Sequence, residues 1–300
     1  MFVLKNDLKN KIEESFKEKI IKEEAITFEV SLLQLGTGKI IVKRVSNKVK
    51  NTYDYLASQE CKMVLYPLKQ FIFEGDVYFI YKYMSKYNYP DIKKIDDLID
   101  AMTLLHQKTS FTVKLSDKEF KYFFRIYKNL DRIFQTLEMF VRESEIKEEK
   151  TDNDWILLSK YNTFLKLKTI MYSLQRKIHK YIDSKGSVVY ALNHGNLNLN
   201  HIIQKKLISF DNSYLGIFIS DYAKLYVSID DVEGEWFKEI DKKIKEYNND
   251  FYKIYFKFLV LYIYIINLKI TDINEFSVIN SFNQIESKIT RFLTLTASYQ

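Results

Sequence analysis

The stretch Val189-Tyr-Ala-Leu-Asn-His194-Gly195-Asn196-Leu-Asn-Leu-Asn200-His201-Ile-Ile203, followed by Leu207-Ile-Ser209-Phe210-Asp211, governs the reading of the whole chain. Residues 188–192 and 207–210 are apolar and β-rich, which predicts two short strands, and the residues between them read as a loop. On both sides the sequence is helical. Two strands and a loop set into a helical region are an unusual insertion, and they make the loop the first place to look for function.

Working outward, the chain after residue 232 reads as helix to its end. Before the insertion, 154–182 and 118–145 read as long helices, the former opened by an acid-rich first turn. Between them the charged run at 143–154 reads as a solvated connection, with a docking face as the other use for it. Further back, Ile95, Leu98, Ile99, Met102 and Leu105 recur at three- and four-residue steps and give a helix from 92 one apolar face. Phe120, Tyr122, Phe123, Phe124 and Tyr127 read as core.

The first 90 residues have a different period. Strands are predicted at 27–35 and 39–45 about a turn at Gly36-Thr37-Gly38, and at 69–73 and 77–84 about Glu74-Gly75-Asp76. A helix over 49–62 is capped by Ser46 or Asn47. The first 25 residues carry Ile12, Phe16, Ile20 and Ile21 at helical spacing. The expected fold class is therefore α+β and bilobal. Residues 1–88 form a small antiparallel β-rich lobe, and 89–300 form a large mainly helical lobe with the insertion at 188–211. The linker falls near 84–92.

Composition bounds the function. Among 300 residues, 47% are apolar and only seven are glycine and two proline, which favours a globular, helix-rich chain. The net charge of +7 comes from lysines scattered among acids, so no specific nucleic-acid surface is expected. The single cysteine, Cys61, excludes an intrachain disulfide and a cysteine-cluster metal site. The apolar run 258–266 is about half of the roughly 20 residues that span a bilayer, and the opening residues do not read as a signal peptide. A cytoplasmic location with no membrane span is the expectation.

The insertion resembles the catalytic and metal loops of the aminoglycoside phosphotransferase, choline kinase and spore-coat CotS-type kinase-like superfamily. There the pattern is His-Gly-Asp, four residues, Asn, and then a strand ending in Ile-Asp-Phe. Asp221-Tyr-Ala-Lys-Leu225 is similar to the Asp-Leu-Ala segment that follows. Leu105-His-Gln-Lys-Thr-Ser-Phe111 is similar to a Leu-His-x-x-Thr-Ser-Phe stretch of the CotS-like branch, and Ile40-Ile-Val-Lys43 to the strand lysine that contacts nucleotide phosphates. The likeness covers about 27–230. It implies a protein-kinase-like fold, with ATP or GTP as the nucleotide. It gives Lys43 a nucleotide-facing role, with Asp54 or Glu60 as its acidic partner. His194 and Asp221 take structural roles in the loop. The glycine-bearing loop over the nucleotide has one candidate, Gly36-Thr37-Gly38.

At the charged positions the chain departs from that pattern. Asn196 stands where the family has the Asp that takes the hydroxyl proton, and an amide cannot act as a base near neutral pH. The metal-binding Asn becomes His201, a poor ligand for the hard Mg²⁺ ion. The metal-holding Asp becomes Ser209. Asn200 and Asp211 are the rescue ligands at hand, but in an extended strand Asp211 lies about 7 Å from Ser209. Mg²⁺ is accordingly not expected, and no other metal site is.

These residues predict a pseudokinase that acts by binding a nucleotide or a protein partner, not a working enzyme. The alternatives are an aminoglycoside- or choline-type phosphotransferase with rearranged ligands, and a spore-associated structural protein of a low-GC bacterium. His106 and His179 read as ordinary helix residues.

Overall fold

The structure, a computed structural model, describes residues 3–84, 90–232, 234–268 and 275–299, excepting the side chains of 117–120, 122 and 275–282. Phe120 and Tyr122 thus lie outside the described side chains, and most of the 84–92 linker lies outside the described residues. The chain divides into two compact units, Met1–Thr109 with Leu199–Tyr214, and Ser110–Asn198 with Leu215–Gln300.

The first unit is built on a five-stranded antiparallel sheet. Its strands are β1 (Lys22–Ala25), β2 (Val30–Gln34), β3 (Lys39–Val45), β4 (Lys69–Phe73) and β5 (Asp76–Lys82), in the order β1-β2-β3-β5-β4. Alternation along β3 decides what each face does. Ile40 and Val42 join Leu33, Leu35, Tyr78 and Ile80 on one face, where Leu4, Leu8 and Ile12 cover them. Leu8 and Ile12 belong to α1 (Asn6–Phe16). The helical spacing therefore ends at Phe16: Ile20 and Ile21 precede the edge strand β1, where an extended helix was expected. The chain leaves the helix at Lys17, which adopts a left-handed conformation with φ 57°.

Helix α2 (Asn47–Ser58) belongs to the opposite face, which carries Ile41 and Lys43. Its cap is Ser46, whose hydroxyl accepts the Val49 N–H at 3.3 Å. Helix α3 (Asp91–Thr109) follows, with Ile95, Leu98, Ile99, Met102 and Leu105 all buried.

Residues 199–214 join this unit because their backbone is paired into it. A two-residue hairpin, β8 (Ile202–Ile203) and β9 (Lys206–Leu207), docks on the segment after α2. The Leu207 N–H donates to the Met63 carbonyl at 2.7 Å, and the Leu65 N–H to the Leu207 carbonyl at 3.0 Å. The strand expected over 207–210 stops at Leu207. Ser209 turns left-handed, with φ 64° and ψ 63°, and Phe210–Asn212 form a 3-10 turn.

In the second unit, β6 (Phe111–Lys114), β7 (Ser187–Asn193) and β10 (Tyr214–Ile217) make a three-stranded sheet in the order β10-β7-β6. Only β7 was expected. β6 and β10 are four residues each, too short for alternation to register in the sequence. Around the sheet are α4 (Asp117–Ile146), α5 (Asp152–Asp183), α6 (Ile219–Ile229), α7 (Trp236–Lys245), α8 (Asp250–Ile266) and α9 (Glu275–Leu295). Phe123 and Tyr127 of α4 are buried, whereas Phe124, 56% exposed, is not core. The charged run between α4 and α5 is only partly solvated. Asp154 is buried, where it accepts from Ser144, Lys147 and Thr151 and closes a capping box with Thr151.

Candidate functional site

Within the first unit, the site grows from the face of β3 opposite α1. Lys43 sits across from Phe79 of β5, and Ile41 across from Tyr81, so these four share one face. The Lys43 ammonium lies 2.6 Å from Asp211 Oδ2; the lysine side chain is 17% exposed and the aspartate 39%. Neither acid expected as the lysine's partner fills that place. On α2 the residue buried toward Phe79 is Tyr53, at 5.2 Å between ring centroids. One residue on, about 100° around the helix, Asp54 points outward and pairs with Lys50 at 2.7 Å. Glu60 lies beyond the end of α2, in a left-handed turn with φ 53°.

The expectation that Asp211 lies about 7 Å from Ser209 assumed an extended strand. The left-handed turn at Ser209 instead folds the chain back. Phe210 is wholly buried with its ring edge-on to Tyr53 at 5.6 Å, and Asp211 is carried to Lys43. Burial pushes the ionisation of Tyr53 up to about 12. Tyr81 is raised still further, first by burial.

Strand register also moves the loop expected to cover a nucleotide. Lys43 is opposite Val30, while Lys39, next to the Gly36-Thr37-Gly38 turn, is opposite Gln34. That turn is therefore about 13 Å along the strand from Lys43. It is held by Glu18, whose carboxylate accepts the Thr37 N–H at 2.9 Å and the Thr37 hydroxyl at 2.5 Å. These bonds lower the Glu18 pKa. The turn at the Lys43 end is Ile26-Thr27-Phe28-Glu29, which has no glycine. The Ile26 and Thr27 N–H groups both donate to the Val30 carbonyl, at 2.9 and 3.1 Å, and Phe28 is exposed.

The second unit holds the other loop residues. His194 and Asp221 are fully buried. Asp221, in the first turn of α6, accepts the His194 N–H at 2.7 Å and the Gly195 N–H at 2.9 Å. Gly195 has φ 84°, a left-handed conformation that glycine adopts without strain. Its carbonyl accepts from Lys224 at 2.7 Å, and burial lowers the pKa of that lysine. Asn196 is exposed just beyond. Asn200 and His201 belong to the 3-10 turn Leu199–His201 of the first unit; Asn200 is exposed and His201 half-buried.

Tyr53, Tyr81 and Lys224 were not singled out by the sequence. Lys224 carried a usable signal, three residues after Asp221 on one helix face. The tyrosines carried none, being two of 23.

In the first unit the donors present suit a divalent cation poorly. Ser209 brings no charge, His201 offers an imidazole to an ion that prefers oxygen, and Asp211 already faces an ammonium. Among the described residues, no group of three or more His, Cys, Asp and Glu is arranged to hold a metal ion.

No family model and no curated protein matches the sequence. Solved structures do. An aminoglycoside phosphotransferase from Alicyclobacillus acidocaldarius aligns with a TM-score of 0.64 at 12% identity, over 93% of this chain and 92% of its own. A spectinomycin phosphotransferase, determined with ADP and spectinomycin, aligns at 0.52 and 11% identity, over 99% and 98%. The choline kinase of Streptococcus pneumoniae is more distant, at 0.47 and 13% identity, over 95% and 100%. At these identities the likeness is one of fold. The chain has the bilobal kinase-like α+β fold of these aminoglycoside and spectinomycin phosphotransferases, with a small antiparallel β-rich lobe and a large mainly helical one.

Proposed function

We propose that this chain is a pseudokinase, a kinase-like protein that acts by binding a nucleotide or a protein partner without metal-assisted phosphoryl transfer. The observation that carries the reading is the pairing of Lys43 with Asp211 in the first unit. In the sequence, the two aspartate positions of the family that the chain resembles hold Asn196 and Ser209. Phosphoryl transfer depends on charge placed around the phosphates, and loss of a general base alone costs about 10²- to 10⁴-fold. In this reading Lys43 meets the nucleotide phosphates, His194 and Asp221 support the loop, and the lobes divide at 88/89. The protein works in the cytoplasm.

Calorimetry of ATP and GTP with the purified chain, with and without Mg²⁺, tests this. Binding that is indifferent to Mg²⁺ is the expected result. Binding that requires Mg²⁺ refutes it, and absence of binding leaves the protein-partner form of the proposal, to be pursued by partner capture.

A second reading has one observation in its favour. The turn at Ser209 carries Asp211 back to Lys43, so a carboxylate is present beside the lysine after all. A small-molecule phosphotransferase using Asp211 and Asn200 as metal ligands would exploit it. Under that reading Asp211→Ala abolishes any measured transfer; unchanged transfer in that variant rejects it. A spore-associated role rests on the CotS-like sequence resemblance alone.

A further inference from the structure

In the first unit a cation with an evident anion-receiving role is already engaged. Lys43 is mostly buried and its ammonium meets Asp211 at 2.6 Å. Asp211 stays more than a third exposed, so water and solutes reach the pair from its side. The carboxylate depends on a left-handed serine, a conformation that strains a non-glycine residue. What compensates it is visible. The Phe210 ring is wholly buried edge-on to Tyr53, with centroids at 5.6 Å. Tyr53 in turn is fixed by Phe79 and Tyr66, with centroids at 5.2 and 6.2 Å. These ring contacts run from β5 through α2 to the 209–211 turn and end in the placement of one carboxylate.

We infer that Lys43 is an anion site occupied by the protein's own carboxylate, that the buried Phe210 ring holds Asp211 there, and that the competing ligand is the phosphate group of a metal-free nucleotide. The inference rests on the nucleotide-binding reading above and adds the regulation of that site. A phosphate oxygen can take the ammonium only as Asp211 leaves it. A partly exposed ion pair opposes that exchange by a factor of roughly two to five. Phe210 is then a positioning residue: it acts on the ligand through Asp211.

The probe is ADP without metal, titrated calorimetrically into the wild type, Asp211→Asn, Phe210→Leu and Lys43→Met. Asp211→Asn is expected to bind roughly two- to fivefold tighter. Phe210→Leu should fall between it and the wild type, and Lys43→Met should lose binding. Wild-type binding with an unchanged or weaker Asp211→Asn overturns self-occupancy and leaves nucleotide binding intact. Failure of both proteins to bind overturns both. A ligand-free measurement tests the ring anchor separately: the Lys43→Met/Asp211→Asn double-mutant cycle in denaturant, run in wild-type and Phe210→Leu backgrounds. The coupling should shrink toward zero when the ring is removed, and a coupling that Phe210→Leu leaves untouched overturns the anchor.

Discussion

Phe210→Ala tests whether the turn that carries Asp211 is held by the aromatic cluster of the first unit. The side chain is fully buried, and its ring stands 81° to Tyr53 at 5.6 Å, inside a group that includes Phe79 and Tyr66. Removing a buried phenylalanine costs about 3–5 kcal/mol through lost transfer energy and the cavity left behind. The edge-to-face contact accounts for about 0.5–1.5 kcal/mol beyond burial. Phe210→Leu retains most of the volume and should cost less than about 1.5 kcal/mol. The assay is urea unfolding followed in parallel by far-ultraviolet circular dichroism and tryptophan fluorescence. Both tryptophans, Trp155 and Trp236, lie in the second unit, so only the dichroism reports the first unit directly. Phe210→Ala should shift the dichroism midpoint by the amount above, and Phe210→Leu by less than half as much. A loss below about 1 kcal/mol for the alanine variant would refute the claim that Phe210 anchors the turn.

Other outcomes follow from single contacts. Thr151→Ala removes the capping box of α5 and should cost about 1 kcal/mol, read as a lower unfolding midpoint. Asp154, held by Lys147, Thr151 and Ser144, has its pKa pushed well below 3.8. Its stabilisation is therefore fully present above about pH 4 and is lost as pH falls through the depressed folded value. The stability gap between wild type and Asp154→Asn should be constant from pH 7 to about 4 and close below it, and a gap independent of pH down to 2 refutes the assignment. Asp221→Asn loses the charge that accepts two backbone N–H groups and should destabilise by about 3 kcal/mol; Asp221→Glu should not rescue it, because the fit to both donors is lost. Lys257 donates to the Thr296 carbonyl at 2.9 Å, just past the end of α9, so Lys257→Met should raise amide exchange in the last turn of α9 ahead of the rest of the unit.

Much of this molecule was legible in order of elements. The change of period near residue 90, the apolar face of α3 and the two long helices all follow from side-chain spacing, which is a local property. So does the isolated loop at 193–201. Its resemblance, with that of the Asp221–Leu225 segment, to the phosphotransferase loops pointed to the fold that the structural likenesses bear out. Short elements were the ones missed. β1, β6 and β10 are four residues each, and a strand of that length is defined by its partner more than by its own alternation.

Around the candidate site the division is sharper. The sequence alone established which groups stand at the charged positions: Asn196, His201 and Ser209 in the loops, Lys43 on its strand, and Asp221 behind His194 and Gly195. Identity is a property of the residue and needs no fold to be read. Which groups meet was decided only by tertiary structure. Lys43 and Asp211 are 168 residues apart and pair at 2.6 Å. Asp54 was the nearer acid in sequence, but helical geometry turns it outward and gives the inward place to Tyr53. The register of β2 against β3 put the Gly36–Gly38 turn at the far end of the strand from the lysine, and the backbone of Ser209 folded Asp211 inward. Each of these outcomes depends on a dihedral angle or a pairing register set by contacts distant in sequence, and no local pattern of side chains records them.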